Sequence, residues 1–311
     1  MVLSWKLWRG LHYPPSTQFF SRRVVVAKSP PIFGFLQATI DTRWWRVLGL
    51  LALAFVVFRW GITSVLMIFF VLPGVLILAF IILPLLLPLV TTIVGGYWSA
   101  SVSHAILYER NARTYDLLCM GPNGTLGANW AIAGSCLAKH GLFTNLYYGT
   151  IASIILGGLG VVLMVAVFGL LVVSGATVDE LIPAVRTLFE LFVLLGVFWL
   201  HYVHSVVLSV LVGLFVPTYM GHDAPWVAFG FYQAVQVIVY GLFALIFHLL
   251  SPLTAAISPD LWWAYLSVPF FYLLLLALLR EALLVWLWGV VSSRLNADFN
   301  ERNVLLQSLS S

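Results

Sequence analysis

Charge is what this chain has least of. Only 8% of its 311 residues are Asp, Glu, Lys or Arg, where a soluble domain carries roughly 25%. So few charges could not cover a water-facing surface, so the bulk solvent for most of the chain is lipid. Acids are scarcest at the start. In the first 46 residues Asp41 stands alone against Lys6, Arg9, Arg22, Arg23, Lys28, Arg43 and Arg46. No run there is long and apolar enough for a signal peptide within the first thirty residues. Cysteine is nearly absent, and Cys119 with Cys136 cannot build a disulfide framework. Both fall in a segment expected on the cytoplasmic side, where thiols stay reduced. The chain also lacks GxxxxGK[ST]; the run Gly121 to Gly124 has no lysine, so no phosphate-cradling loop for ATP is encoded. HExxH, GxSxG and paired-Asp signatures are missing from the apolar runs. No enzyme activity, metal site or nucleic-acid partner is expected.

What the chain has is apolar length. Hydrophobic residues make up 62% of it, and the mean hydropathy is +1.04. The pattern predicts an all-α, polytopic integral membrane protein with about six transmembrane helices. Residues 1–60 read as a basic, amphipathic N-terminal segment. Trp5, Trp8, Trp44 and Trp45 suit the headgroup layer, and Pro14, Pro15, Pro30 and Pro31 cut the segment into short pieces. A mitochondrial transit peptide has the same acid-poor composition. Gly61 to His104 carries no charged residue. One crossing needs roughly 20 apolar residues, so this length is two spans, Gly61 to Leu83 and Leu87 to Leu107, turned at Pro84 and Pro88. An alternative first span, 47 to 70, would place Arg59 in the bilayer.

The remaining spans are expected at Tyr147 to Val173, Leu188 to Phe215, Trp226 to Leu250 and Ala264 to Leu279. Gly149, Ser153 and Gly157 put small residues at the spacing that lets helices approach closely. Arg280 and Glu281 read as the opening of an amphipathic tail. The transmembrane domain is thus 61–289, with a helix-containing loop at 109–142 and a C-terminal tail at 290–311. With six spans and the N-terminus inside, only Arg186 of the 15 Lys and Arg falls outside. The positive-inside rule then places both termini in the cytoplasm, in a multi-pass protein of the plasma (inner) membrane.

Intramembrane ionisable groups are functional candidates by default. His201 and His204 lie three residues apart in the fourth expected span. With His104 they could hold a haem or a chlorophyll, as in a cofactor-holding or structural subunit of a respiratory or photosynthetic complex. Ser205 on the same span, and Gln233, Gln236 and Tyr240 on the next, support a different reading. Together with the histidines they form a polar seam between helices, with no cofactor.

The richest polar stretch is Glu109 to Pro122. Glu109 and Arg113 stand at i, i+4, a helix-stabilising spacing. Tyr115, Leu117, Leu118 and Met120 give the stretch an apolar side, and Gly121-Pro122 stops it. It reads as a cytoplasmic amphipathic helix suited to docking. Glu109, Arg110, Thr114, Asp116, Leu117, Leu118 and Pro122 resemble the segment after the second span in ABC-transporter permeases of the six-helix exporter type. Arg113 stands where that family has glycine, and Asn111 where it has an acid. The resemblance covers some fifteen residues. It implies a permease subunit moving a substrate with ATP hydrolysed by a separate partner. It also implies a second permease copy, and a docking helix made of the matched residues with Arg113 and Tyr115.

Overall fold

The computed structural model describes residues 3–12, 89–120, 124–139, 141–173, 175, 178–257, 261–297 and 299–308. The chain divides into two units, one of residues 1–27 with 90–311 and one of residues 28–89. The contacts that follow all lie within the first unit. The expected span at Gly61 to Leu83, its alternative at 47 to 70 and the Pro84–Pro88 turn lie outside the described residues.

Among the described residues the fold is all-α. In chain order the helices are α1 (Leu3–His12), α2 (89–111), α3 (Tyr115–Cys119), α4 (Gly124–Lys139), α5 (Gly141–Val173), α6 (Val178–Phe215), α7 (Ala224–Ala255), α8 (Trp262–Arg294) and α9 (Phe299–Ser308). Three of them, over Val185–Thr218, Ala224–Thr254 and Trp263–Arg294, are long and apolar enough to cross a membrane. α5 is a further 33-residue helix with no charged residue. Large side chains on the outer face of α7, including Val237, Ile238, Leu242, Leu245, Leu249 and Leu253, are exposed. An apolar face of that extent suits lipid rather than water.

The long helices overrun the expected boundaries. α6 begins at Val178 and carries Pro183 inside it, where the sequence pattern predicts a loop around Asp179, Glu180 and Arg186. Arg186 Nε meets Glu190 at 3.0 Å, and its guanidinium lies 4.0 Å over the Tyr265 ring. α7 continues through Pro252, and only residues 256–261 separate it from α8. α8 runs on from the expected end at Leu279 to Arg294. Arg280 is therefore not the start of a tail. It sits near the middle of a helix and is 3% exposed.

The helix ends sort into two groups. At one end Arg110 Nη1 donates to Pro217 O at 2.8 Å, Thr125 Oγ1 to Leu295 O at 2.9 Å, and Arg294 covers Tyr219 at 4.6 Å. This basic end gathers the α2–α3 turn, the α6–α7 turn and the end of α8. At the other end Arg186 reaches Tyr265 and Phe189 reaches Phe270. Successive long helices thus run up and down.

α2 is buried almost continuously from Val94 to Ser103. Its small residues allow this. A Cβ on Gly96 would lie 2.5 Å from Gln233 Nε2, and one on Gly213 of α6 would lie 2.8 Å from Ser99 O. Ser99 Oγ donates to Ala228 O at 3.1 Å, so α2 touches α7 through polar backbone. α1 packs one face on the bundle: Ser4, Leu7, Trp8 and Leu11 are buried. Trp5 and Trp8 pack on Trp199 of α6 at 6.1 and 5.2 Å.

Candidate functional site

Two places concentrate polar chemistry. The first is a hydrogen-bonded seam midway along α6, α7 and α8. Helical periodicity brings His201, His204, Ser205 and Ser209 to the inward side of α6, where all are buried. On α7, Tyr232, Gln236 and Tyr240 follow at four-residue steps, so they stack on one face. α8 contributes Arg280.

The bonds form one network. Arg280 Nη2 donates to Gln236 Oε1 at 2.5 Å and to the Tyr240 hydroxyl at 3.3 Å, and Nη1 donates to His201 O at 3.2 Å. The guanidinium carbon lies 5.2 Å from the Tyr240 ring centre, a cation–π contact. Gln236 Nε2 donates to the Tyr232 hydroxyl at 2.8 Å and to Ser205 Oγ at 3.4 Å. His201 is held on both ring nitrogens, by the Thr91 hydroxyl of α2 at 2.6 Å and by the Tyr240 hydroxyl at 2.5 Å. Gln233 turns away from this network and donates to Thr92 O at 3.1 Å. Of the seam residues named from sequence, His201, Ser205, Gln236 and Tyr240 are thus brought together, while Gln233 serves the α2–α7 contact and His204 bonds Glu281 instead. Thr91 and Arg280 are members that the sequence pattern does not point to.

Arg280 is the unusual member. No carboxylate lies within ion-pair distance of it among the described residues; the ion pairs there are Arg186–Glu190 and His204–Glu281. Neutral acceptors carry the whole charge. An arginine at the centre of a membrane helix costs about 2.5–3.5 kcal/mol on insertion scales, and the neighbouring hydroxyl, amide and carbonyl offset it. Glu281, one residue on, faces another way. Its carboxylate accepts from the Ser4 backbone N–H of α1 at 3.2 Å and meets His204 Nε2 at 3.2 Å. His204 Nδ1 lies 2.7 Å from Leu200 O. A cavity of about 10 Å³ lies between His204, Gln236 and Arg280, about the space of one water.

These bonds bear on the cofactor alternative. Both ring nitrogens of His201 and of His204 are engaged within the protein. A haem iron or a chlorophyll magnesium would have to displace one of those partners. His104 is half-buried on α2, well along the chain from both. The residues do not fit a bis-histidine site as they stand.

The second place is the α2–α3 turn at the basic end. The single amphipathic helix expected from Glu109 to Met120 is broken. α2 ends at Asn111, and Arg113 adopts φ 58°, in the left-handed region. The expected Glu109–Arg113 pair is not formed. Glu109 is instead buried, and its carboxylate accepts a short hydrogen bond from the Thr114 hydroxyl, while Thr114 N donates to Glu109 O at 3.3 Å. Arg110 reaches Pro217 O and stacks over Tyr115 at 5.0 Å. The Tyr115 hydroxyl accepts from Asn129 Nδ2 of α4 at 2.8 Å. Glu109, Arg110, Thr114 and Tyr115 thus build the turn from within. Arg113, Asp116, Leu117 and Met120 face outward, with Leu117 70% and Met120 82% exposed, and Leu118 is half-buried. Pro122 lies outside the described residues.

Both cysteines are free thiols. Cys136 of α4 is half-buried, and desolvation of its thiol pushes it up to about 12. Cys119 of α3 is also raised, by burial first, against the lowering bond from Tyr115.

Compared with known proteins, the chain matches no family model, no curated protein and no solved structure.

Proposed function

We propose that this chain is a multi-pass permease subunit of an ABC-type exporter in the plasma (inner) membrane, paired with a second permease copy and driven by a separate ATP-binding subunit. The observation that carries the reading is the α2–α3 turn. Its inner residues bind it to the ends of α2, α4 and α6, and its outer residues present Leu117 and Met120 to solvent. A partner bound there would push on three helices at once, because Arg110 ties the turn to Pro217 and Tyr115 ties it to Asn129. Arg113 adds support. It holds the backbone conformation that glycine adopts without strain, at the position where the permease pattern has glycine.

In this reading the basic end faces the cytoplasm, and the transmitted movement reaches the interior through α2 and α6. Thr91 of α2 meets His201 of α6 inside the seam, so a shift between these helices changes the acceptors around Arg280. Isolation of the protein with its native complex tests the reading. An ATP-binding subunit in the complex, lost in Leu117→Asp with the fold retained, supports it. A purified native complex with no nucleotide-binding subunit overturns it.

A further inference from the structure

The outer face of α8 carries a shallow, open strip at the basic end, formed by Val285, Trp286, Gly289, Val290, Ser293 and Arg294 of this one helix. Its composition is graded. Val285 and Trp286 are 51% and 58% exposed, and Gly289 has nothing within 4 Å of where its Cβ would be, so this part is apolar and open. Ser293 and Arg294 close it, both exposed, at the last turn of the candidate membrane span Trp263–Arg294.

Length matches chemistry here. Nine helical steps from Val285 to Arg294 cover about 13 Å at 1.5 Å per residue. That is close to half of a hydrocarbon core of roughly 30 Å, the depth of one leaflet. The polar end is cationic. Arg294 stacks on Tyr219, and no carboxylate lies within ion-pair distance of it among the described residues. Stacking fixes the guanidinium plane while its edge donors stay available, and a planar fork suits a phosphate.

We propose that this strip is a binding site for one phospholipid with an anionic headgroup. An acyl chain lies along Trp286, Gly289 and Val290, and the headgroup phosphate is held by Arg294 and the Ser293 hydroxyl. An amphiphile one leaflet long with a negative end complements an apolar strip one leaflet long with a positive end. A free phosphate would leave the apolar part uncovered, and a zwitterionic lipid would bring its own cation to Arg294. The proposal needs the chain to be membrane-embedded but not that it be a permease.

Trp286 makes the site readable. The full chain would be reconstituted in phosphatidylcholine vesicles containing brominated phosphatidylglycerol or, separately, brominated phosphatidylcholine at equal mole fraction. The quenching that disappears in Trp286→Phe reports the strip. One Arg near the surface is worth about 1 kcal/mol toward an anionic lipid, roughly a five-fold preference. The expected result is a several-fold stronger Trp286 quenching by phosphatidylglycerol, weakened in Arg294→Lys, which keeps the charge but loses the fork, and reduced below two-fold in Arg294→Gln. Equal quenching by both lipids overturns the site, as does a preference that survives Arg294→Gln. Absence of any Trp286 quenching would mean that protein, such as a second copy, covers the strip, and also overturns the site. If Trp286→Phe does not fold, phosphatidylglycerol retained in detergent by the wild type and lost by Arg294→Gln decides the same question.

Discussion

Arg280 Nη2 stands 2.5 Å from Gln236 Oε1, and this bond joins α8 to α7 across 44 residues of chain. It is the shortest of the three bonds that hold a guanidinium with no carboxylate beside it. The pair is asymmetric. Without Gln236 a buried cation loses its best acceptor, whereas without Arg280 a neutral amide loses a donor.

The asymmetry sets the first expectation. Gln236→Leu leaves the charge in place and costs about 1.5–3 kcal/mol, the range for a lost hydrogen bond to a charged group. Arg280→Leu leaves unsatisfied acceptors, at about 1–3 kcal/mol, but also removes a charge from a membrane helix. The double variant is therefore more stable than Gln236→Leu alone. Unfolding in detergent, read as a double-mutant cycle, measures this. Additive effects would mean that the bond carries no coupling.

Arg113 gives a test of backbone strain. Its left-handed conformation costs a residue with a Cβ about 1–2 kcal/mol. Glycine recovers part of this and loses some to greater freedom in the unfolded chain. Arg113→Gly is expected to raise stability by about 0.5–1 kcal/mol. Arg113→Val, β-branched and unsuited to positive φ, is expected to lower it. Thermal unfolding of the three proteins in one detergent gives the order.

How much of the fold and the seam is legible in the sequence depends on what carries the signal. Long uncharged runs need no partner to be read as helices, and α5 to α8 fall where those runs are. The seam histidines are visible because a polar residue inside such a run stands out. Arg280 misleads for the complementary reason. Next to Glu281 and after a long apolar run, it has the local signature of a helix end, and the acceptors that bury it lie on α6 and α7. The break at Arg113 is hidden by the Glu109–Arg113 spacing, which also fits a continuous helix. The left-handed Arg113 and Thr114, bonded back to Glu109, show that the chain turns there. Thr91 escapes notice as a partner of His201 because nothing local links residues 110 apart.

Cys136 sets the sign of an alkaline effect. Desolvation raises its thiol to about 12, while in the unfolded chain it ionises near its ordinary value, about 8.5. The fold therefore favours the neutral thiol. Its contribution is fully present below the unfolded value and is lost as pH rises from there toward 12. Stability should fall over that window, and less in Cys136→Ala. Maleimide labelling at about pH 8 should leave Cys136 unmodified in the folded protein, since the thiolate is the reacting form. Rapid labelling of Cys136 would contradict the raised thiol.

Leu117 and Met120 separate docking from folding. Both are exposed, so Leu117→Asp and Met120→Glu should change stability by no more than about 0.5 kcal/mol. Glu109→Ala, which removes the buried acceptor of the Thr114 hydroxyl, should cost about 1–3 kcal/mol. Detergent unfolding distinguishes the two classes, and equal losses from both would contradict the outward placement of Leu117 and Met120.

The most direct measurement is affinity isolation of the tagged full chain from its native membrane under mild detergent, followed by identification of the co-purifying proteins and an ATPase assay. The permease account expects an ATP-binding subunit with the wild-type chain, and its loss with the Leu117→Asp, Met120→Glu double variant at unchanged yield and folding. A stable native complex without any nucleotide-binding subunit, or one that the double variant retains in full, would contradict it.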